Sequence, residues 1–106
     1  MAYTPTQLTL RHLRNEGWPL VEVVEHWNPH ARIRQDLFGF IDIIAIARDR
    51  TLAIQCTSAG NTASRIRKIA EHPNIGFVRE AGWEIRVHGW RKRNGRWELH
   101  RNEDLS

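Results

Sequence analysis

The sequence predicts a mixed α/β or α+β domain, with helices flanking a central mixed sheet in the order α-β-β-β-α-β-β. Three observations lead there. Apolar segments of strand composition recur, most clearly over residues 37–47 and 51–57. Two other segments, 7–16 and 61–72, carry helix start and stop chemistry instead. Turn residues separate the segments, above all Arg48-Asp49-Arg50 and Asn94-Gly95. A chain of 106 residues can build one core but not two, so residues 1–106 read as a single domain.

Each element has a local reason. Thr4-Pro5 opens the first helix, with Thr4 as N-cap and proline in the first turn, where its missing N–H costs nothing. Leu8, Leu10 and Leu13 give that helix an apolar stripe, and Gly17 stops it. Residues 19–27 are rich in valine and predict the first strand. Asn28-Pro29-His30 breaks it, and a basic loop through Arg32 and Arg34 follows. Residues 37–47 predict the second strand, Arg48-Asp49-Arg50 a hairpin turn, and 51–57 the third strand. Ser58-Ala59-Gly60-Asn61 leads into a helix ending near His72, with Pro73 beyond it. Residues 74–80 predict a further short helix ended by Gly82. Residues 83–91 and 97–101 are the fourth and fifth strands. Asn94-Gly95 between them favours a type I′ turn, because both residues tolerate positive φ. The five tryptophans lie in or beside these strands. They are expected to fill the core and cover sheet edges, with Trp90 and Trp97 also candidates for stacking on bases.

Composition narrows the function classes. The formal charge is +4 and the isoelectric point near 10.2, which favours a polyanionic partner. Only two of the 16 basic residues are lysine, and arginine suits bidentate phosphate contact. The single cysteine excludes an internal disulfide and fits a reducing, cytoplasmic setting. Cys56 lies in an apolar strand and reads as a small buried hydrophobe. No apolar run approaches a membrane span, and no charged-then-apolar signal pattern opens the chain. The six histidines lack zinc-ligand spacing, and no Walker loop, dinucleotide fingerprint or nucleophile elbow occurs.

The chemistry concentrates on the second and third strands. Side chains alternate along a strand, so Ala53, Gln55 and Thr57 share one face while Leu52, Ile54 and Cys56 take the other. Asp42 shares its face with Phe40 and Ile44. A carboxylate in so apolar a run must be paired or hydrogen-bonded. Phosphodiester hydrolysis with one or two Mg²⁺ ions needs hard oxygen donors of this kind. Asp42 supplies one and the Gln55 side-chain oxygen a neutral one. Asp36, six residues before Asp42, is the best additional carboxylate, ahead of Glu25 and Glu16. The plain alternative pairs Asp42 with an arginine and leaves Gln55 as a hydrogen-bonded polar residue. On the following helix Arg65, Lys68 and His72 fall on one side, with Ile66 and Ala70 on another. The 58–62 loop offers free N–H groups at a helix start. Arg32 and Arg34 form one basic cluster. Arg91, Lys92, Arg93 and Arg96 form a second around the hairpin, and both suit a DNA backbone. Exposed hairpin tips are also often basic for solubility alone.

Ile41-Asp42 followed thirteen residues later by Gln55-Cys56-Thr57, with a helix next, resembles the PD-(D/E)xK nuclease superfamily. Within it, the similarity is to the Holliday-junction-resolvase-like and phage nucleases, over roughly residues 4–88. Ile41-Asp42 takes the Pro-Asp position and Gln55-Cys56-Thr57 the Glu-x-Lys position. Gln replaces Glu, Thr replaces Lys, and Thr6-Gln7 stands where the first helix should carry an acid. The resemblance implies a restriction-endonuclease-like core and a Mg²⁺- or Mn²⁺-dependent DNA endonuclease, with branch or junction specificity as one option. It also implies a homodimer in a prokaryotic or phage-infected cytoplasm. Asp42, Gln55 and Asp36 would bind metal. Lys68, helped by Thr57, would stand in for the absent strand lysine. Two other readings keep the fold without the activity: a DNA-binding module with a decayed site, and a subunit whose basic face contacts another protein.

Overall fold

The computed structural model describes residues 3–106. It is an α+β domain built on a mixed five-stranded sheet. Its elements are α1 (Pro5–Asn15), β1 (Leu20–Val23), β2 (His26–Asn28), β3 (Ile33–Gln35), β4 (Ile43–Ala47), β5 (Arg50–Ser58), a 3-10 turn (Ala59–Asn61), α2 (Thr62–Ala70), α3 (Ile75–Glu80), β6 (Glu84–Arg93) and β7 (Arg96–Asp104). The sheet order is β1-β4-β5-β6-β7, and β2 pairs with β3 in a separate two-stranded ribbon. Among the described residues only the β5–β6 pair is parallel, and the α2–α3 crossover connects it.

The helices cover opposite faces of the sheet. Leu10 and Leu13 of α1 pack on Ile43, Ala45, Leu52, Ile54 and Cys56. Ile69 of α2, with Ile75 and Val78 of α3, packs on Ala53, Ile85 and Val87. Residues 52–57 are therefore buried on both sides, which explains why this strand reads as apolar almost throughout. Gly89 lets α2 approach the sheet: a Cβ there would lie 2.0 Å from Thr62 Oγ1.

Local chemistry holds at the turns. Thr4 and Gln7 form a reciprocal capping box with Pro5 in the first turn, and Gly17 has φ +90°. Asn94 and Gly95 have φ of 51° and 75°, as a type I′ turn requires. Arg48 and Asp49 alone bridge β4 and β5.

Three expectations need correction. The first strand does not run over 19–27. Val24 N–H still bonds to Asp42 O (2.8 Å), but the chain then leaves the sheet and His26–Asn28 pairs with Ile33–Gln35. The basic loop is thus half ribbon. Asn28 Oδ1 accepts from the N–H groups of His30 and Ala31 and turns the chain, and Arg32 has φ 55°. The second strand does not start at Leu37. It begins at Ile43, and the preceding residues form a tight turn with Phe38 at φ 56° and Gly39 at φ 90°. Strand alternation fails there, since Phe40 and Ile41 join the same core cluster. Finally, the tryptophans fill the core only in part: Trp90 is buried and Trp18 and Trp83 pack against the core, but Trp27 is 56% and Trp97 37% exposed.

Candidate metal centre and its cleft

Asp42 sits just before β4, opposite Gln55 in the continued register of the β4–β5 pair. These are interior strands, so the residues lie within the sheet rather than at its edge. Asp42 is 3% and Gln55 6% exposed. The Gln55 amide nitrogen donates to Asp42 Oδ2 at 2.6 Å, and the Cys56 backbone N–H donates to the same oxygen at 2.9 Å. The two residues expected to meet therefore do meet. Gln55 does so by its nitrogen. Thr57 is buried on the same face by alternation, with no hydrogen bond to either among the described residues.

The residues around Asp42 are acidic. Carboxylate oxygens of Glu25, Asp36 and Asp42 lie within 4.8 Å of one another. Glu25 reaches in because the chain leaves the sheet after Val24, and Asp36 because the β3 ribbon ends beside Asp42. No arginine or lysine pairs with Asp36 or Asp42 among the described residues, while Arg34 lies 3.4 Å from Glu25. Burial first, then a hydrogen bond with Asp36 and the charges of Asp36 and Glu25, together push the Asp42 carboxyl up to about 8, against the Cys56 N–H, which lowers it. Such a cluster holds either a proton or a cation. Its three carboxylates are donors of the hard-oxygen kind that Mg²⁺ or Mn²⁺ takes.

A cleft of about 600 Å³ lies next to this cluster, lined by His26, Arg34, Gln35, Asp36, Gly39, Arg65 and Lys68. Lys68 and Arg65 reach it from one turn of α2, three residues apart. His72 does not join them. Its ring lies under Gly39, where a Cβ would come within 2.5 Å of Nε2, and packs on Phe40. Ala70 is exposed, and Ile66 with Ile69 forms the inner side of α2 instead.

The hairpin cations are elsewhere. Arg91 is ion-paired with Glu98, and Lys92 stands over the Trp97 ring at 5.8 Å. Arg96 lines a separate cleft with Tyr3, Arg11, His12 and Trp97. Arg93 is exposed at the tip, as Arg32 is in its own turn. Trp90 is not available for stacking, since it is buried and its indole N–H donates to Thr9 Oγ1 at 2.9 Å.

One polar group escaped the sequence reading. His88 is 1% exposed on the α1 face, with Nδ1 3.3 Å from Thr9 Oγ1. Burial pushes its pKa down to about 3, helped by His12 and Arg86. A lone histidine in a strand gives no pattern by which to find it. Cys56 conforms to expectation: it is buried, and burial pushes its thiol well up, out of reactive range.

No family model, curated protein or solved structure matches this chain.

Proposed function

We propose that this chain is a divalent-metal-dependent deoxyribonuclease with a PD-(D/E)xK-like site on a restriction-endonuclease-like core. The observation that carries this reading is the Glu25–Asp36–Asp42 cluster beside a cleft holding Arg65 and Lys68. Acidic oxygens next to cations on one cleft are what a phosphodiester needs. The carboxylates would hold Mg²⁺ or Mn²⁺, and the cations would take the phosphate. The ion would supply Lewis-acid polarisation of the phosphate and a water of lowered pKa. In this reading Asp36 and Glu25 contribute the negative charge lost where Gln replaces Glu. Gln55 orients Asp42 through its amide, and Lys68 replaces the strand lysine from α2. Arg34 and Arg65 steady the DNA backbone, with Arg32 further along it. Two copies of the chain would supply the two sites that cutting both strands requires.

A second reading has its own support. Asp42 Oδ2 already accepts two hydrogen bonds from within the chain. A DNA-binding module without hydrolysis would need no more than that. Incubating the protein with four-way-junction, duplex and single-stranded DNA in Mg²⁺, Mn²⁺ or EDTA separates the two. The nuclease reading expects metal-dependent cleavage that Asp42→Ala abolishes with the fold retained. DNA binding without cleavage in either metal, or cleavage by Asp42→Ala at the wild-type rate, overturns it.

A further inference from the structure

A second cleft, of about 360 Å³, opens beside the acidic one and is lined by Phe38, Asn74, Phe77, Val78, Ala81 and Trp83. The same turn walls both. Asp36 and Gly39 face the acidic cleft, while Phe38, between them in sequence, faces the aromatic one. Phe77 is 73% and Phe38 49% exposed. The Phe38 and Trp83 rings are 6.3 Å apart and tilted by 46°. Leaving such rings in water forgoes the free energy of burying them.

The turn is also held against its preference. Phe38 has φ 56°, a conformation that bulky residues rarely adopt. Three contacts fix it there. Gly39 N–H donates to Asp36 O at 3.0 Å, and the His72 ring fills the space beneath Gly39. Asn74 Nδ2 donates to Phe38 O at 3.0 Å. His72 Nδ1 in turn accepts from the Asn74 N–H, so the support is itself supported. The aromatic side chain is therefore presented by a fixed turn.

Resting on the nuclease reading, we propose that this cleft takes one unpaired nucleobase of the DNA strand whose phosphate lies in the acidic cleft. The occupant must be flat and apolar-faced, to stack among Phe38, Phe77 and Trp83. On the nuclease reading it also belongs to a polyanion: the adjoining cleft presents Arg65 and Lys68, with Arg34 paired to Glu25, and with Asp36 on the side of the acidic cluster. A nucleotide is both, and the cleft has room for one base but not for a duplex. Substrates with an extrahelical or branch-point base near the scissile phosphate are then preferred over continuous duplex.

The test uses the full chain with EDTA and DNA carrying 2-aminopurine, either at a single unpaired position or fully paired. The wild type is expected to change the fluorescence of the unpaired probe and to bind it about tenfold more tightly than paired DNA. Phe77→Ala and Phe38→Gly should lose that preference. Both should fold, since Phe77 is largely exposed and glycine favours the φ of Phe38. Their affinity for paired duplex should stay within about twofold of wild type. A wild type without preference, or variants that keep it, overturns the proposal. So does a dimer that Phe77→Ala dissociates with the probe signal unchanged, which would assign the patch to a second copy. Adding Mn²⁺ afterwards separates the two readings. Cleavage without base preference sinks the pocket alone, and base preference without cleavage sinks hydrolysis alone.

Discussion

At the scale of single residues, Asp42 governs the behaviour of the acidic site. Its carboxyl, ordinarily near 3.8, is pushed up to about 8 in the fold. The folded state therefore holds a proton that the unfolded chain releases. Between about pH 4 and 8 the metal-free protein loses stability as pH rises, by at most about 1.4 kcal/mol per pH unit from this group. His88 works in the opposite sense between about 3 and 6.5, since its folded pKa is depressed and stability is lost on acidification. Comparing Asp42→Asn with wild type removes that shared contribution. Thermal melts in EDTA from pH 5 to 8.5 should show a stability gain for Asp42→Asn that grows with pH. A difference independent of pH would mean that Asp42 is not protonated in the fold. Gln55 gives a second prediction. Gln55→Glu replaces the amide that donates to Asp42 with a fourth carboxylate. It should tighten Mn²⁺ binding by about tenfold or more, because each added charge at a few ångströms counts heavily in a buried site. Calorimetric titration measures this, and an unchanged or weaker affinity would make Gln55 purely structural.

At the scale of elements, α2 carries both its anchor on the sheet and two cations of the cleft. Its start sits on the sheet because Gly89 leaves room for Thr62, and its next turn carries Arg65 and Lys68 to the cleft. If Lys68 replaces the strand lysine, its charge matters most where charge develops in the transition state. Lys68→Ala should then lower the single-turnover rate by about a hundredfold or more and leave DNA affinity nearly intact. A pure backbone contact would show the reverse: normal cutting once bound, weaker binding, and a salt slope smaller by about one unit. The β2–β3 ribbon is the other element that builds this cleft. It brings in Glu25, Arg34 and Asp36, although little of it is buried.

At the scale of the whole molecule, two of the clefts lined by basic side chains lie apart from each other. One adjoins the acidic cluster. The other lies between α1 and the β6–β7 hairpin. The hairpin cations are not equivalent, since Arg91 is paired with Glu98 while Arg93 and Arg96 have no ion pair among the described residues. If the hairpin grips DNA, replacing Arg93 and Arg96 by alanine should reduce the slope of log affinity against log salt by about two units. Arg91→Ala should change it less. Fluorescence anisotropy across a KCl series reads this directly, and an unchanged slope in the double variant would leave the hairpin to solvent. No helix among the described residues is long and apolar enough to cross a membrane.

Much of the fold was legible because its causes are local. The capping box at Thr4, the glycine stop at Gly17, the Asn94-Gly95 turn and the alternation of β5 each depend on residues a few positions apart. The pairing of Asp42 with Gln55 was legible too, since a short turn between two strands fixes their register. What the tertiary structure decided is where distant segments meet. Residues 36–41 have strand composition, yet His72 and Asn74, more than thirty residues away, hold them as a turn with positive φ at Phe38. Glu25 read as a carboxylate candidate behind Asp36, inside a strand, and it joins Asp36 and Asp42 only because the chain leaves the sheet at that point. His88 and Trp90 find Thr9 across some eighty residues. Sequence spacing encodes the period of an element and the chemistry of its ends. It does not encode which buried group a remote side chain will satisfy, because that is set by packing the whole core at once.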